Sequence, residues 1–276
     1  MITKTLLSTL AVVAGLVVAV PGSAAGGHDA AWASSADGFA GAAGTTGGAG
    51  GTTVTATNQA DLERYAKASA PHVIRVDRAI TITPLGREIP VTSNKTVIGV
   101  GTRGEIVGGG FFLGAGTSNV IIRNLTVRDT RVASDDPDDK DFDYDGIQLD
   151  TANRVWIDHN WIHSTNSRNP STDNVAYAHL YNNYLQNVRG YGNYSRGNTK
   201  MVLENSYFDG VKDPYYKDTT AQLRQSGSVV VNSSGKQQTG GSAFNPADFY
   251  PYALDRAADV PGLVRAQAGP RADIGL

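Results

Sequence analysis

The sequence predicts an all-β fold, a single-stranded parallel β-helix whose coils are about 23 residues long, and three observations predict it. From about residue 72 the chain breaks into short β-branched runs separated by Gly, Asn, Asp and Ser, such as His72-Val73-Ile74-Arg75-Val76 and Lys95-Thr96-Val97-Ile98-Gly99-Val100, each too short for an ordinary sandwich strand. The runs recur: aligning segments 119–124, 154–159, 177–182 and 200–205 places Val97, Val120, Val155, Ala178 and Met201 in one register, 23 residues apart except for 35 between Val120 and Val155. A period of that length with no helix inside it is one solenoid coil, stacked on the next at about 4.8 Å. The excess of 12 residues coincides with an acidic run, so one coil carries an inserted loop.

At the start of the chain, Lys4 precedes an almost wholly apolar stretch from Leu6 to Val20, followed by Pro21-Gly22-Ser23-Ala24-Ala25. That pattern reads as a signal peptide over residues 1–25, because the run is short of the roughly 20 residues that span a bilayer. The expectation is a secreted, extracellular protein with one domain over residues 26–276. Segment 26–53, with Gly47-Gly48-Ala49-Gly50-Gly51, reads as a loose lead-in. Asn58 then caps one short helix whose first turn holds Asp61 and Glu63.

The β-rich coils follow, and their last aligned column reads Asn124, His159, Asn182, Asn205. Stacked side-chain amides in such a column predict an internal ladder, which makes His159 structural. From about Pro214 the period fades, and the Phe244-Asn245-Pro246 and Phe249-Tyr250-Pro251-Tyr252 segments predict a C-terminal extension packed on the outside or over one end. There is no cysteine, so packing and hydrogen bonding must hold the chain together. A formal net charge of −2 argues against nucleic acid and anionic membranes as partners. A monomer is expected.

The charge that matters is local. Seven aspartates stand within residues 135–145, with Lys140 the only cation among them. Alone, such a run is most simply a solvated face. Asp141-x-Asp143-x-Asp145-Gly146 copies the start of an EF-hand loop, but Ala152 stands where a bidentate Glu is required. Alternating aspartates entering a strand still present carboxylates at one edge, which suits a hard cation such as calcium.

Several motifs occur in a fixed order: Val97-Ile98-Gly99-Val100-Gly101, Asn119-Val120-Ile121-Ile122-Arg123-Asn124-Leu125, Asp143-x-Asp145-Gly146-Ile147, Val155-Trp156-Ile157-Asp158-His159, Arg168-Asn169-Pro170 and Tyr181-Asn182-Asn183-Tyr184. In that order they resemble the pectate lyases of polysaccharide lyase family 1, over nearly all of residues 26–276. The resemblance implies a right-handed parallel β-helix that cleaves polygalacturonate or pectin by calcium-assisted β-elimination. It also implies Asp143 and Asp145 as calcium ligands and Arg168 as the catalytic base. Arginine ordinarily holds its proton to a pH above about 12, so a base there needs a neighbouring cation.

The pattern departs from the family at one place. The family carries about two further coils between its Trp-Ile-Asp-His rung and its Arg-x-Pro motif, with the remaining acidic ligands and a substrate-binding lysine; here His159 leads to Arg168 within a few residues. Asp141 and Asp150 are the available substitutes for the missing ligands. Removing whole coils leaves neighbouring faces compatible, so a shortened helix is expected, with Arg168 roughly 10 Å closer to the acidic edge if two rungs are gone. The rival readings are a non-catalytic, calcium-dependent pectate-binding solenoid and a β-helix glycoside hydrolase, the latter needing carboxylates on both sides of the scissile bond.

Overall fold

The computed structural model describes residues 35–132, 144–267, 269, 271, 272 and 274. The expected signal peptide over residues 1–25 lies outside them. Short parallel strands stack into about seven coils, as the 23-residue spacing predicts. The first sheet stacks Thr52–Ala56, His72–Val76, Lys95–Gly99, Ser118–Arg123 and Asn153–Asp158, and the second stacks Ala79–Thr81, Glu105–Val107, Thr126–Arg128 and Trp161–His163. A third sheet stacks Glu88–Pro90, Gly110–Leu113, Ile147–Asp150, Ser171–Asp173, Asn193–Arg196 and Tyr215–Lys217. Two further sheets, of Ala178–Tyr181, Lys200–Glu204 and Gln222–Ser226, and of Tyr184–Gln186, Tyr207–Asp209 and Val229–Val231, complete the later coils.

Among the described residues, only the third sheet crosses the junction where the sequence is short of coils. There Gln148 pairs with Ser171, and Ser171 with Tyr194, each 23 residues on. The first two sheets end at Asn153–Asp158 and Trp161–His163, and two new ones begin at Ala178–Tyr181 and Tyr184–Gln186. The expected pairing of Val155 with Ala178 is therefore not made. Val155, Ile157 and Ile162 stay only partly buried, so the inner faces of the two coils do not close on each other along those sheets. The core divides accordingly into one cluster from Ala56 to Ala152 and another from Ala178 to Leu223, with Val175 packed against both.

Corners, rather than apolar runs, set the register. Lys95 pairs with Val120 and Val97 with Ile122, not with Val120. This aligns Asn94 with Asn119, two left-handed residues at φ 60° and 62°, and Asn119 Nδ2 donates to Asn94 Oδ1 at 2.8 Å. An asparagine pair does stack here, but not in the column the sequence pointed to. Asn124, His159, Asn182 and Asn205 also occupy left-handed corners, and they hold the C-terminal tail instead. Asn182 Nδ2 donates to Asp255 Oδ2 (2.9 Å), Asn205 Nδ2 to the Asp255 carbonyl (2.6 Å), and Arg271 N to Asn124 Oδ1 (2.8 Å). His159 accepts from Gly269 N, and its ring lies 2.5 Å from Asp158, which also pairs with Arg123. His159 thus joins the tail rather than the internal ladder expected for it.

The glycine-rich lead-in is less loose than its composition suggests. Thr46 N and Gly47 N both donate to Asn119 Oδ1, and Gly48 N to Thr96 Oγ1. A Cβ on Gly48 would lie 1.9 Å from the His72 carbonyl oxygen, so glycine is what lets this segment lie flat on the first sheet. The helix predicted after Asn58 spans Gln59–Lys67; the Asn58 side chain accepts from Asp61 N at 2.9 Å, and Leu62 and Ala66 are buried against the first coil. Among the described residues two more α-helices, Gly38–Ala42 and Val260–Gln267, and a 3-10 turn, Pro246–Asp248, add to what the sequence predicts. The C-terminal tail runs along the outside, touching coils on both sides of the junction.

Candidate functional site

Each strand of the third sheet is entered through a tight corner, and on successive coils these corners hold Asp145-Gly146, Arg168-Asn169-Pro170 and Tyr191-Gly192. A Cβ on Gly146 would lie 2.8 Å from Ile162 Cγ2 and 3.0 Å from Asn169 Oδ1, so the close packing of adjacent corners demands glycine at that position. Asn169 Oδ1 accepts from Thr165 Oγ1 (2.9 Å), and the Asn169 carbonyl from Asn193 Nδ2 (2.7 Å). These bonds hold Arg168 in the left-handed region, at φ 51°, a conformation that costs a side-chain-bearing residue about 1–2 kcal/mol.

The result is a direct contact between two of the three site residues indicated by the sequence. Arg168 Nη1 donates to Asp145 Oδ2 at 2.6 Å; the Asp145 side chain is 0% exposed and that of Arg168 12%. Asp143 lies outside the described residues. Across the short junction the arginine meets the Asp145 carboxylate itself. Asp150 takes a hydrogen bond from Thr151 and sits beside Asp173 on the next coil; Asp141 also lies outside the described residues.

The outer face of the third sheet carries the other groups. Register places Phe112, Gln148, Ser171, Tyr194 and Tyr216 in one outward column, with Asp150, Asp173 and Arg196 in the next. Arg168 Cζ lies 5.9 Å from the Tyr191 ring centroid. Burial pushes the Tyr191 and Tyr216 phenols well above their ordinary range, so both remain proton donors. The three tyrosines escaped the sequence reading, although Tyr194 and Tyr216 are 22 residues apart, a coil's length. That spacing was the available signal.

The expected calcium ion can be tested against these groups. Asp145 Oδ2 accepts from Arg168 Nη1, and among the described residues no three acidic or histidine side chains converge; Asp141 and Asp143 lie outside those residues. Of the two expected ligands, Asp145 alone lies within the described residues, and its carboxylate is paired with Arg168.

Comparison with known proteins adds independent observations. A family model described as pectate lyase matches residues 3–175. A pectate trisaccharide-lyase of Bacillus licheniformis is 30% identical over 281 residues, covering 79% of this chain and 80% of its own. A probable pectin lyase E of Aspergillus fumigatus is 26% identical, over 65% of this chain and 60% of its own. Among solved structures, a pectate lyase from Bacillus sp. N165 in complex with trigalacturonate superposes with a TM-score of 0.54 at 21% identity, over 85% of this chain and 98% of that one.

Proposed function

Because the chain belongs to the pectate lyase family and is a polysaccharide lyase, we propose that it cleaves polygalacturonate by β-elimination on the outer face of the third sheet, with Arg168 as the catalytic residue. The observation that carries this reading is the Arg168–Asp145 contact, which joins on adjacent coils two residues that the family pattern marks. The names of the relatives and the trigalacturonate bound to one structural neighbour support the substrate class. A secreted location, proposed from residues 1–25, puts the enzyme where such a polymer is found.

β-Elimination removes the proton α to a uronate carboxylate, and the negative charge that develops on that carboxylate must be stabilised. Arginine ordinarily keeps its proton, and here a buried carboxylate holds the guanidinium in place. The geometry supports Arg168 first as the donor that meets the substrate carboxylate and its developing charge. As the base that takes the α-proton while the glycosidic oxygen leaves from the β-carbon, the role the resemblance implies, Arg168 needs a second cation beside it so that its own proton is released first. Calcium is the cation the resemblance implies for Asp143 and Asp145.

The test is ultraviolet absorbance from unsaturated product on polygalacturonate. Wild type should generate it, Arg168→Ala should lose about a hundredfold or more in kcat, and EDTA should abolish it. Full activity in EDTA would remove calcium from this reading. New reducing ends without absorbance would mean hydrolysis, and retention on pectate without either signal would mean a binding solenoid.

A further inference from the structure

On the outer face of the sheet of Ala178–Tyr181, Lys200–Glu204 and Gln222–Ser226, three distant segments bring four rings together. Tyr177 stands one residue ahead of Ala178, which pairs with Met201, so it lies beside Lys200 on the next coil. Its ring stacks on Phe39 with centroids 5.5 Å apart and planes inclined by 19°. Phe249, from the tail, lies 5.4 Å from Tyr177 and 5.0 Å from Phe39, and Phe244 braces Tyr177 edge-on at 5.0 Å. Despite this packing Tyr177 is 42% exposed and Phe249 48%. Lys200 Nζ stands 5.7 Å from the Tyr177 ring centroid and, among the described residues, has no carboxylate partner.

We propose that this patch is a second glycan-binding site, separate from the Arg168 corner, which takes a carboxylated pyranose: the apolar C–H face of the sugar lies on Tyr177 and Phe249, and its carboxylate meets Lys200. Only the naming of that sugar acid as a unit of polygalacturonate rests on the lyase reading. A single exposed ring is ordinary on a protein surface, but two in contact, held from behind by two more, form a flat apolar platform. Because Phe39 and Phe244 already fix the rings, little side-chain freedom is lost when a ligand settles on them. Charge selects the occupant. The carboxylates nearest the platform are engaged, Asp37 accepting from Trp156 Nε1 and Asp248 from Asn245 Nδ2, whereas Lys200 is left to attract an anion from outside. A neutral sugar would cover the rings and leave that charge unanswered. The position suits a polymer as well: Arg168 stands in the corner that begins Ser171–Asp173, and Tyr177 lies beyond the end of that strand. A long chain held at the platform keeps its other units at high effective concentration around Arg168.

The test is affinity electrophoresis of the full chain in gels containing polygalacturonate or a neutral galactan, with EDTA present so that the polymer stays intact. Wild type should be retarded by the acidic polymer alone. Phe249→Ala and Lys200→Gln should each weaken that retardation about threefold to tenfold, and Lys200→Arg should restore it. The same losses should recur in an Arg168→Ala background, which separates the platform from the catalytic corner. Circular dichroism reports the fold of each variant, and Lys200→Gln, which leaves all four rings in place, decides the question even where Phe249→Ala disturbs the tail. Equal retardation by both polymers, no retardation of wild type, platform variants that migrate like wild type, or retardation abolished by Arg168→Ala alone would overturn the platform. The lyase reading is measured separately by absorbance with calcium supplied. Retardation without product overturns that reading and leaves the platform standing, whereas product with variant-independent retardation does the opposite.

Discussion

Breaking the Asp145–Arg168 contact from either side leaves a charge behind without the partner at 2.6 Å. Asp145 is wholly buried, and loss of one member of a buried pair ordinarily costs about 3–5 kcal/mol, mostly through the charge that remains. Asp145→Ala should therefore lower stability by about 3 kcal/mol in urea denaturation. The double change Asp145→Leu with Arg168→Met should recover much of that while abolishing activity, since apolar replacements of similar size remove both charges together. A double variant as unstable as Asp145→Ala would mean that the corner depends on the pair for its shape. Sequence spacing placed both residues near the same edge. It could not show their side chains touching, because that depends on how closely two corners pack around Gly146.

The C-terminal tail is an element whose docking depends on proton balance. His179, with a side chain 2% exposed, lies 2.6 Å from the Tyr250 hydroxyl through Nδ1 and 3.0 Å from Glu204 Oε2 through Nε2; Tyr252 donates to the same Glu204 oxygen at 2.7 Å. Burial lowers the His179 proton affinity below its ordinary value of 6.5. The unfolded chain therefore takes up that proton first, and stability falls as pH drops below about 6.5. Burial pushes the Glu204 carboxyl up, but hydrogen bonds from Tyr252 and His179 outweigh it and hold the group below its ordinary 4.5. Its contribution is present above about pH 4.5 and is lost as pH falls toward the depressed value. Both groups act in the same direction, so thermal midpoints should decline on acidification in two stages. Tyr252→Phe should soften the lower stage. The tail's aromatic content announced outside packing, but nothing in the local sequence tied Tyr250 to a histidine 71 residues earlier.

Across the whole molecule, the two cores meet through the third sheet and Val175, and the tail bridges the gap. Tyr250 contacts His179 on the later coils and Phe39 on the segment whose Asp37 accepts from Trp156 Nε1 at 2.9 Å. Solenoid energetics are largely nearest-neighbour, so a weak interface between coils permits the two halves to unfold separately unless something couples them. In a Trp32→Phe background, which leaves Trp156 and Trp161 of the earlier coils as the fluorophores, urea midpoints from tryptophan fluorescence and from circular dichroism, which reports all strands, should coincide. In Tyr250→Ala they should separate. Coincident midpoints in the variant would show that the third sheet couples the cores unaided.

By itself the sequence determined the solenoid, its coil length, the capped helix at its start, and the edge on which Asp145 and Arg168 meet. Each of these is written in short-range pattern: strand runs, turn residues and a 23-residue period that repeats often enough to be read locally. Tertiary structure alone decided which rungs pair. Left-handed Asn94 and Asn119 set the register of the first sheet, and the asparagines of the predicted ladder turned to the tail. At the junction one sheet continued where two stopped. Tertiary structure also gave Asp145 a guanidinium and lined up Tyr191, Tyr194 and Tyr216 beside it. Those outcomes rest on side chains from different coils competing for the same few ångströms, which no single stretch of sequence encodes.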